Sequence, residues 1–360
     1  METGPPFVTN DAECVADVIV IGGGPGGCAA AIWCALHHLR VTLLEGQVFP
    51  RYRPGETLHP GIEPILRQLG VHREVIKATA LRHEGHHVHW NGHDHYVSFG
   101  RDGRGTWKGY QLLREDLDQI LLQRAKQVGV SVHQPCFGRA PLLSGRRVTG
   151  VQTTNGELRA KFVIDASGAS RCLERHLGLV AVRYSPPLYA YYGYCKGTVA
   201  EQSSVPRFVA NCDGWTWTAR IDRNLYHWTK LSFSPELRSR KRPSCFDRLH
   251  STGKTGGADV TWRLHPKSAG SGYFLVGDAA AVLDPAASHG VLRAMMSGIM
   301  AGHATVRIIE GSLSECRTIA AYRQWLSTWF HHDVARMRRL YSCLHSARFT
   351  GLRITTRSTD

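Results

Sequence analysis

The stretch Asp17 to Gly46, DVIVIGGGPGGCAAAIWCALHHLRVTLLEG, constrains this chain more than any other. An apolar run, Val18 to Ile21, leads straight into Gly22, Gly24 and Gly27, which have G-x-G-x-x-G spacing, and a helical pattern follows. Gly22 permits a tight turn, Gly24 lets backbone approach a pyrophosphate, and Gly27 lets the helix lie close to the strand. The helix dipole then faces the phosphates across Pro25 and Gly26. Glu45 closes the second strand eighteen residues after Gly27, where a carboxylate can accept bonds from an adenosine ribose. Strand before, helix after and acid at that distance predict a dinucleotide-binding βαβ unit.

Two later segments distinguish FAD from NAD. KFVIDASGASR (Lys161 to Arg171) reads as a buried parallel strand delivering Ala166, Ser167 and Gly168 to a crevice. GYFLVGDAAAVLDPAASHGVLRAMMSG (Gly272 to Gly298) reads as a strand ending at Gly277-Asp278, a proline turn, and a helix opening near His289-Gly290. Asp278 can bond a ribityl hydroxyl there. Backbone N–H groups at the helix opening can stabilise negative charge on a flavin's pyrimidine edge.

The glycine motif with Glu45, LLREDLD with Arg114, VIDASGASR and FLVGDAA together resemble the FAD-dependent aromatic hydroxylase and flavin halogenase superfamily, in the right order over nearly the full chain. The resemblance implies an α/β fold: a Rossmann-type FAD-binding domain of the glutathione reductase type, with an interleaved antiparallel β-sheet substrate domain and a C-terminal helix. PRYRPGETLHPGIEPILRQLG (Pro50 to Gly70), DPAASHGVLRAMMSG and WFHHDV look most like the LodB-like and QhpG-like flavoproteins, which modify tryptophan residues of a partner enzyme during tryptophylquinone biogenesis. The expected cofactor contacts are Gly22, Gly24, Pro25, Gly26, Gly27, Glu45, Gly46, Arg51, Arg53, Glu56, Thr57, Arg114, Ala166, Ser167, Gly168, Gly277, Asp278, Pro285, Ser288, His289, Gly290 and Val291. The expected catalytic residues are His289, Glu56 and Trp215. FAD would be reduced by NAD(P)H or a separate flavin reductase, and O2 would be the oxidant. A second complete G-x-G-x-x-G unit is absent from the sequence.

The predicted organisation is interleaved. Residues 1–14 form a flexible N-terminus; 15–80, 105–181 and 264–317 form the FAD-binding domain; 81–104 and 182–263 form the substrate domain; 318–360 form a C-terminal helical segment. PGIEPILRQLGVHREVIKAT reads as helix, with Gly61 near its start and Gly70 stopping it. HHVHWNGHDHYVSF reads as a hairpin about Asn91-Gly92. Its histidines alternate between faces and cannot all converge on a metal, so no metal is expected. They are either substrate-lining or part of a plain surface sheet. The segment Thr318 to His345 places Tyr322, Trp325, Leu326, Trp329, Phe330, Met337, Leu340, Tyr341 and Leu344 at helical spacing, as a packed stripe or a docking face.

Flavin halogenases carry a Trp-x-Trp-x-Ile-Pro strand, and WTWTARI (Trp215 to Ile221) matches its first part and then departs. They also need a lysine to engage hypohalous acid. No lysine stands between Lys77 and Lys108, and the expected place holds Arg82 or His83. The missing lysine argues against halogenation, and the resemblance to the LodB-like and QhpG-like flavoproteins implies hydroxylation of a tryptophan side chain in an immature quinone-cofactor oxidase. A free aromatic metabolite as substrate, or a non-catalytic FAD-binding assembly factor, are the alternatives. With 44 Lys and Arg against 29 Asp and Glu, the 360-residue chain carries a formal charge of +15, which suits an acidic partner. No nucleic-acid motif and no membrane-spanning run occur, and the ten cysteines contain no C-x-x-C pair. A cytoplasmic setting is expected, with oligomeric state open.

Overall fold

The structure is a computed structural model that describes residues 16–90, 92–198 and 205–342. The predicted N-terminal tail, Asn91 and Leu344 lie outside those residues. Among the described residues seven α-helices run in chain order: α1 Pro25–Leu36, α2 Glu63–Gln68, α3 His72–Ala78, α4 Arg114–Gln127, α5 Cys172–Leu177, α6 Gly290–Ile309 and α7 Glu315–Ser342.

The apolar runs Ala16–Ile21 and Val41–Leu44 are buried on both faces, so they pair in parallel at the centre of an eight-stranded sheet. Ser131–His133 extends that sheet beyond Val41–Leu44. Gly156–Asp165 pairs in parallel with Ala16–Ile21 on one side and with Tyr273–Leu275 on the other. Its first half turns back antiparallel onto Arg147–Thr153. Three strand ends thus deliver the loops after Ile21, Asp165 and Leu275 to one edge.

Close packing holds those loops together. Gly22 has a φ of +103°, which a side chain rarely adopts, and a Cβ there would stand 2.5 Å from the Ala166 carbonyl oxygen. A Cβ on Gly27 would fall 1.9 Å from the Gly22 carbonyl oxygen. α1 and α6 cross closely because small residues face each other: a Cβ on Gly298 would meet the Gly26 carbonyl oxygen at 2.1 Å.

A second, seven-stranded sheet contains, in spatial order, His250–Asp259, Tyr189–Lys196, Leu225–Ser232, Gly214–Asp222, Arg207–Asn211, Gly85–Trp90 and His93–Ser98. Every neighbour is antiparallel except Arg207–Asn211 beside Gly85–Trp90. The helix expected after Pro60 begins as a 3-10 turn, Pro60–Ile62, followed by α2 and α3. Gly70, at φ +74°, stops α2 as the sequence predicts, and His72–Ala78 forms a separate helix beyond it. Thr57–Leu58, Gly109–Gln111 and Leu81–His83 form a three-stranded sheet that leads from the nucleotide side into the second sheet.

α7 starts three residues before the predicted segment and buries one stripe: Tyr322, Leu326, Phe330, Val334, Met337 and Tyr341. That spacing keeps one face on the body, and burying each such side chain stabilises by about 1.5–3 kcal/mol. The Tyr322 hydroxyl donates to the Leu275 carbonyl oxygen at 2.7 Å, tying α7 to a strand of the nucleotide sheet. Among the described residues no helix is long and apolar enough to cross a membrane, and no group of His, Cys, Asp and Glu could hold a metal ion.

Candidate active site

The nucleotide end is built around two uncapped helix N-termini. α1 opens at Gly24 and α6 at His289, neither with a side-chain cap nor an acidic residue in the first turn. Their first N–H groups therefore remain free to bind an anion. Gly24, Pro25, Gly26 and Gly27 line the first opening; Gly290 and Val291 begin the second.

Glu45 ends buried, but its carboxylate is already engaged. Oε2 accepts from Gly23 N at 2.7 Å and Arg51 Nη1 at 2.9 Å, and Oε1 accepts from Gln47 N at 2.9 Å. Glu45 thus holds the glycine turn and Gly46 follows it at the loop's start. Arg51 continues to the fully buried Asp118 at 3.3 Å, and Arg114 donates to the same carboxylate through Nε at 3.0 Å and to the Pro54 carbonyl oxygen through Nη1 at 2.9 Å. Arg114 is therefore a brace between α4 and the 51–57 loop. Arg53 is exposed on that loop, and Thr57 donates through Oγ1 to Gln111 Oε1 at 2.9 Å.

On the second strand end Asp165 accepts from Ser167 N at 2.9 Å and Leu173 N at 2.8 Å, which shapes the Ala166–Gly168 turn. Asp278 beside Gly277 is accessible to solvent although protein surrounds it. Burial raises its carboxyl pKa, against the pull of Arg263 and Arg114. It lines an open cleft with Gly277, Gly290, Arg293, Ala294 and Trp329. Free helix N–H groups, glycines where a side chain would intrude, and an accessible carboxylate on the crevice wall fit FAD.

Opposite this end lies a wall of imidazole and aromatic rings. Phe99 sits 5.2 Å from His59, 5.3 Å from His83 and 6.1 Å from His86 between ring centroids. His86 meets Trp217 at 5.8 Å, and His59 meets His289 at 4.8 Å. The wall therefore joins the turn before α6, the loop after Thr57 and the second sheet. Burial lowers the pKa of all four histidines, to about 4 for His86 and His289; Arg293 adds to the effect at His289 and Arg336 at His59. All four are uncharged near neutral pH. Two tautomers follow from their bonds. His59 Nδ1 accepts from Gly61 N at 3.0 Å, so its Nε2 carries the proton. His83 Nδ1 faces the Gly85 carbonyl oxygen at 2.8 Å and must donate, so its buried Nε2 is bare and has no partner.

Two expected catalytic residues are corrected by this geometry. Trp215 is 3% exposed and donates through Nε1 to the Tyr341 hydroxyl at 2.9 Å, which in turn donates to Asp284 Oδ2 at 2.6 Å. Trp215 and Trp217 share a face, but Trp215 lies under the last turn of α7 and only Trp217 reaches the ring wall. Glu56 is 1% exposed: Oε1 accepts from the Tyr194 hydroxyl, Oε2 accepts from Gly55 N at 2.8 Å, and His227 Nε2 stands 3.5 Å away. Burial, with the Glu56 carboxylate adding to it, keeps the Tyr194 phenol protonated. Glu56 is a positioning residue for the 54–57 loop. Of the three, His289 alone sits on the wall.

The hairpin histidines also divide. His83 and His86 join the wall, whereas His93 and His95 are exposed. Sequence reasoning missed Phe99, His59, Tyr194 and His227. Strand alternation could have paired His86 with Trp217 only once the strand order was known.

Asp284 precedes the 3-10 turn Pro285–Ala287, caps it by accepting from Ala286 N at 2.8 Å, and leads to Ser288 in the left-handed region at φ +56°. Burial pushes its carboxyl pKa up to about 6, with bonds from Tyr341 and Ala286 opposing. A folded value above the ordinary 3.8 means that the protonated form is favoured by folding. That contribution is complete below pH 3.8 and is lost as pH rises through about 6. Wild type is therefore expected to lose about 2 kcal/mol relative to Asp284→Asn between pH 4 and pH 7. Urea unfolding of both proteins across that range measures it, and a constant difference contradicts it.

Similarity to known proteins defines the family. A family described as FAD dependent oxidoreductase matches residues 17–175, and one described as tryptophan halogenase matches residues 103–301. The molecule is an FAD-dependent oxidoreductase whose family draws on reduced flavin and O2. The second match takes in more than half of the chain, from the hairpin side of the second sheet into α6, and the chain belongs to the tryptophan halogenase family.

A tryptophan 2-halogenase of Chondromyces crocatus is 28% identical over 345 residues, covering 85% of this chain and 64% of the relative's own length. A 1H-pyrrole-2-carbonyl-(peptidyl-carrier protein) brominase of Pseudoalteromonas luteoviolacea (strain 2ta16) is 27% identical, covering 86% of this chain and 81% of that one. Among solved structures, the myxobacterial chondrochloren halogenase CndH superposes with a TM-score of 0.84 at 24% identity, covering 95% of this chain and 87% of CndH. That likeness shows the shared fold.

These findings overturn the expectation of tryptophan hydroxylation during quinone-cofactor maturation, and the exclusion of the halogenase class with it. They place the chain with flavin halogenases rather than specifically with the LodB-like and QhpG-like proteins, and they lend no support to an immature oxidase as partner. The physical reason is where the resemblance lay. The segments at 50–70 and 284–298 are the 51–57 loop, α2 and the opening of α6, which adjoin the nucleotide end and do not by themselves distinguish a hydroxylase from a halogenase. The missing lysine is a single position, between Lys77 and Lys108, and does not decide the class of the whole chain.

Proposed function

We propose that this chain is a flavin-dependent halogenase acting on an electron-rich heteroaromatic ring. The observation that carries the reading is the wall formed by His59, His86, Phe99, Trp217 and His289, uncharged and aromatic, beside the free N-terminus of α6. It suits a neutral planar ring held by stacking. Reduced FAD, O2 and halide supply the electrophilic halogen in this chemistry. The ring wall keeps the ring desolvated and fixes its plane. The uncapped α6 terminus, with N–H groups at Gly290 and Val291, offers the anion site a halide needs.

The departure from the family pattern lies at His83. With Nδ1 spent on Gly85, its Nε2 has no proton to give, so it does not stand in for a lysine ammonium. His59 does present a proton, on Nε2, and touches His289. We assign the donor that orients the halogenating species to His59.

The test is turnover of the FAD-loaded chain with a flavin reductase, O2 and bromide on a set of indoles, pyrroles and phenols. The reading expects bromide-dependent products carrying the bromine isotope pair in their mass spectrum. Products that gain oxygen alone, in equal yield with and without bromide, would refute it.

A further inference from the structure

A second cavity lies beside the ring wall, in the cleft between α6 and α7. It is open to solvent and lined by Ala286, His289, Arg293, Asp333, Arg336 and Leu340. Its charges do not cancel. Arg293, with a side chain only 15% exposed, forms an ion pair with Asp333 and lies over the Trp329 ring at 5.1 Å. Arg336, one turn along α7 and exposed, makes no ion pair among the described residues. Its charge reaches His59, His289 and Arg293, lowering the pKa of each. Two guanidiniums thus share one carboxylate at the rim of a site whose histidines are neutral. A second negative charge entering the cleft would relieve the Coulombic repulsion between Arg293 and Arg336.

We propose that this cleft binds an anionic group of the substrate, with Arg336 as its principal contact and Arg293 behind it. This rests on the ring wall being the substrate site. It narrows the substrate to an aromatic ring bearing an acid, with the ring against Phe99 and Trp217 and the anion between α6 and α7. A guanidinium fork suits a carboxylate or a phosphate equally. The negative charge has two possible sources: the carboxylate of a free heteroaromatic acid, or the phosphodiester of a pantetheine tether such as a carrier-protein-bound acyl group would bring.

Calorimetric binding to the oxidised FAD-loaded protein separates these sources without any turnover. The probes are pyrrole-2-carboxylate against its methyl ester, and phosphopantetheine against pantetheine. At least one anion is expected to bind roughly tenfold or more tightly than its neutral counterpart, the worth of one charge-assisted bond. That preference should shrink in high salt, vanish in Arg336→Ala and survive in part in Arg336→Lys. Preference for the carboxylate alone identifies a free acid, preference for the phosphate alone identifies the tether, and both together define a general anion site. Equal binding of anion and neutral probe in both pairs overturns the proposal, as does a preference that persists in Arg336→Ala. The flavin spectrum and melting temperature of both variants report that they remain folded. Bromination without anion preference would sink this inference alone; anion preference without bromination would sink the halogenase reading alone.

Discussion

Gly27→Ala is expected to yield a protein that purifies nearly colourless and binds added FAD about 30- to 150-fold more weakly than wild type, the equivalent of about 2–3 kcal/mol of misfit. The added methyl would stand 1.9 Å from the Gly22 carbonyl oxygen and 3.0 Å from Ala166 Cβ. Neither contact can yield cheaply. Gly22 is backbone at the turn itself, and Ala166 belongs to the next strand's loop. α1 must move off Ala16–Ile21, and its N-terminal N–H groups move with it. Because α1 also packs on α6, with Gly26 against Ala294 and Gly298 against Gly26, the displacement carries to the α6 opening at His289. Fluorescence titration of apoprotein with FAD measures the loss. Near-wild-type affinity would mean that the glycine turn does not set the cofactor's position.

Glu56→Ala carries the largest expected stability change, about 3–5 kcal/mol by urea unfolding, the range for breaking a buried polar network from one side. The substitution strips the Tyr194 hydroxyl and Gly55 N of their acceptor and removes the carboxylate facing His227, with Tyr194 and His227 both buried. Glu56→Gln keeps an acceptor oxygen and is expected to lose less than half as much. Because Glu56 holds the 54–57 loop, Glu56→Ala should also weaken FAD binding. A loss below about 1 kcal/mol, the size of an ordinary exposed pair, would show that the carboxylate is solvated.

The two substitutions also mark what was legible in the chain. Gly27 belongs to a motif whose spacing is dictated by backbone contact, so Val18 to Glu45 could be read residue by residue, and the strand ends at Asp165 and Gly277 likewise. Each of those signals is local. The Glu56 network is not: Tyr194 and His227 come from neighbouring strands of the second sheet, 138 and 171 positions away (194 − 56 and 227 − 56). Nothing in ETLHP announces them.

The ring wall has the same origin. His59 follows the 51–57 loop, Phe99 closes a hairpin, Trp217 lies on a central strand, and His289 precedes α6. Their meeting depends on Arg207–Asn211 pairing in parallel with Gly85–Trp90, the one long-range parallel register in an otherwise antiparallel sheet. Trp215 shows the reverse error. A tryptophan pair beside a flavin domain invites a functional reading of both, yet the hydroxyl of Tyr341, on the last turn of α7, takes the first for the core.

The central claim is that a substrate ring meets the flavin against Phe99 and Trp217, under the opening of α6. Anomalous diffraction from crystals of the FAD-loaded chain soaked with a bromopyrrole carboxylate tests it most directly. The account predicts a bromine peak between the flavin ring and the wall of His59, Phe99, Trp217 and His289, with the carboxylate at Arg336. Full occupancy of FAD with bromine only on the outer surface, and the ring wall left to solvent, would contradict it.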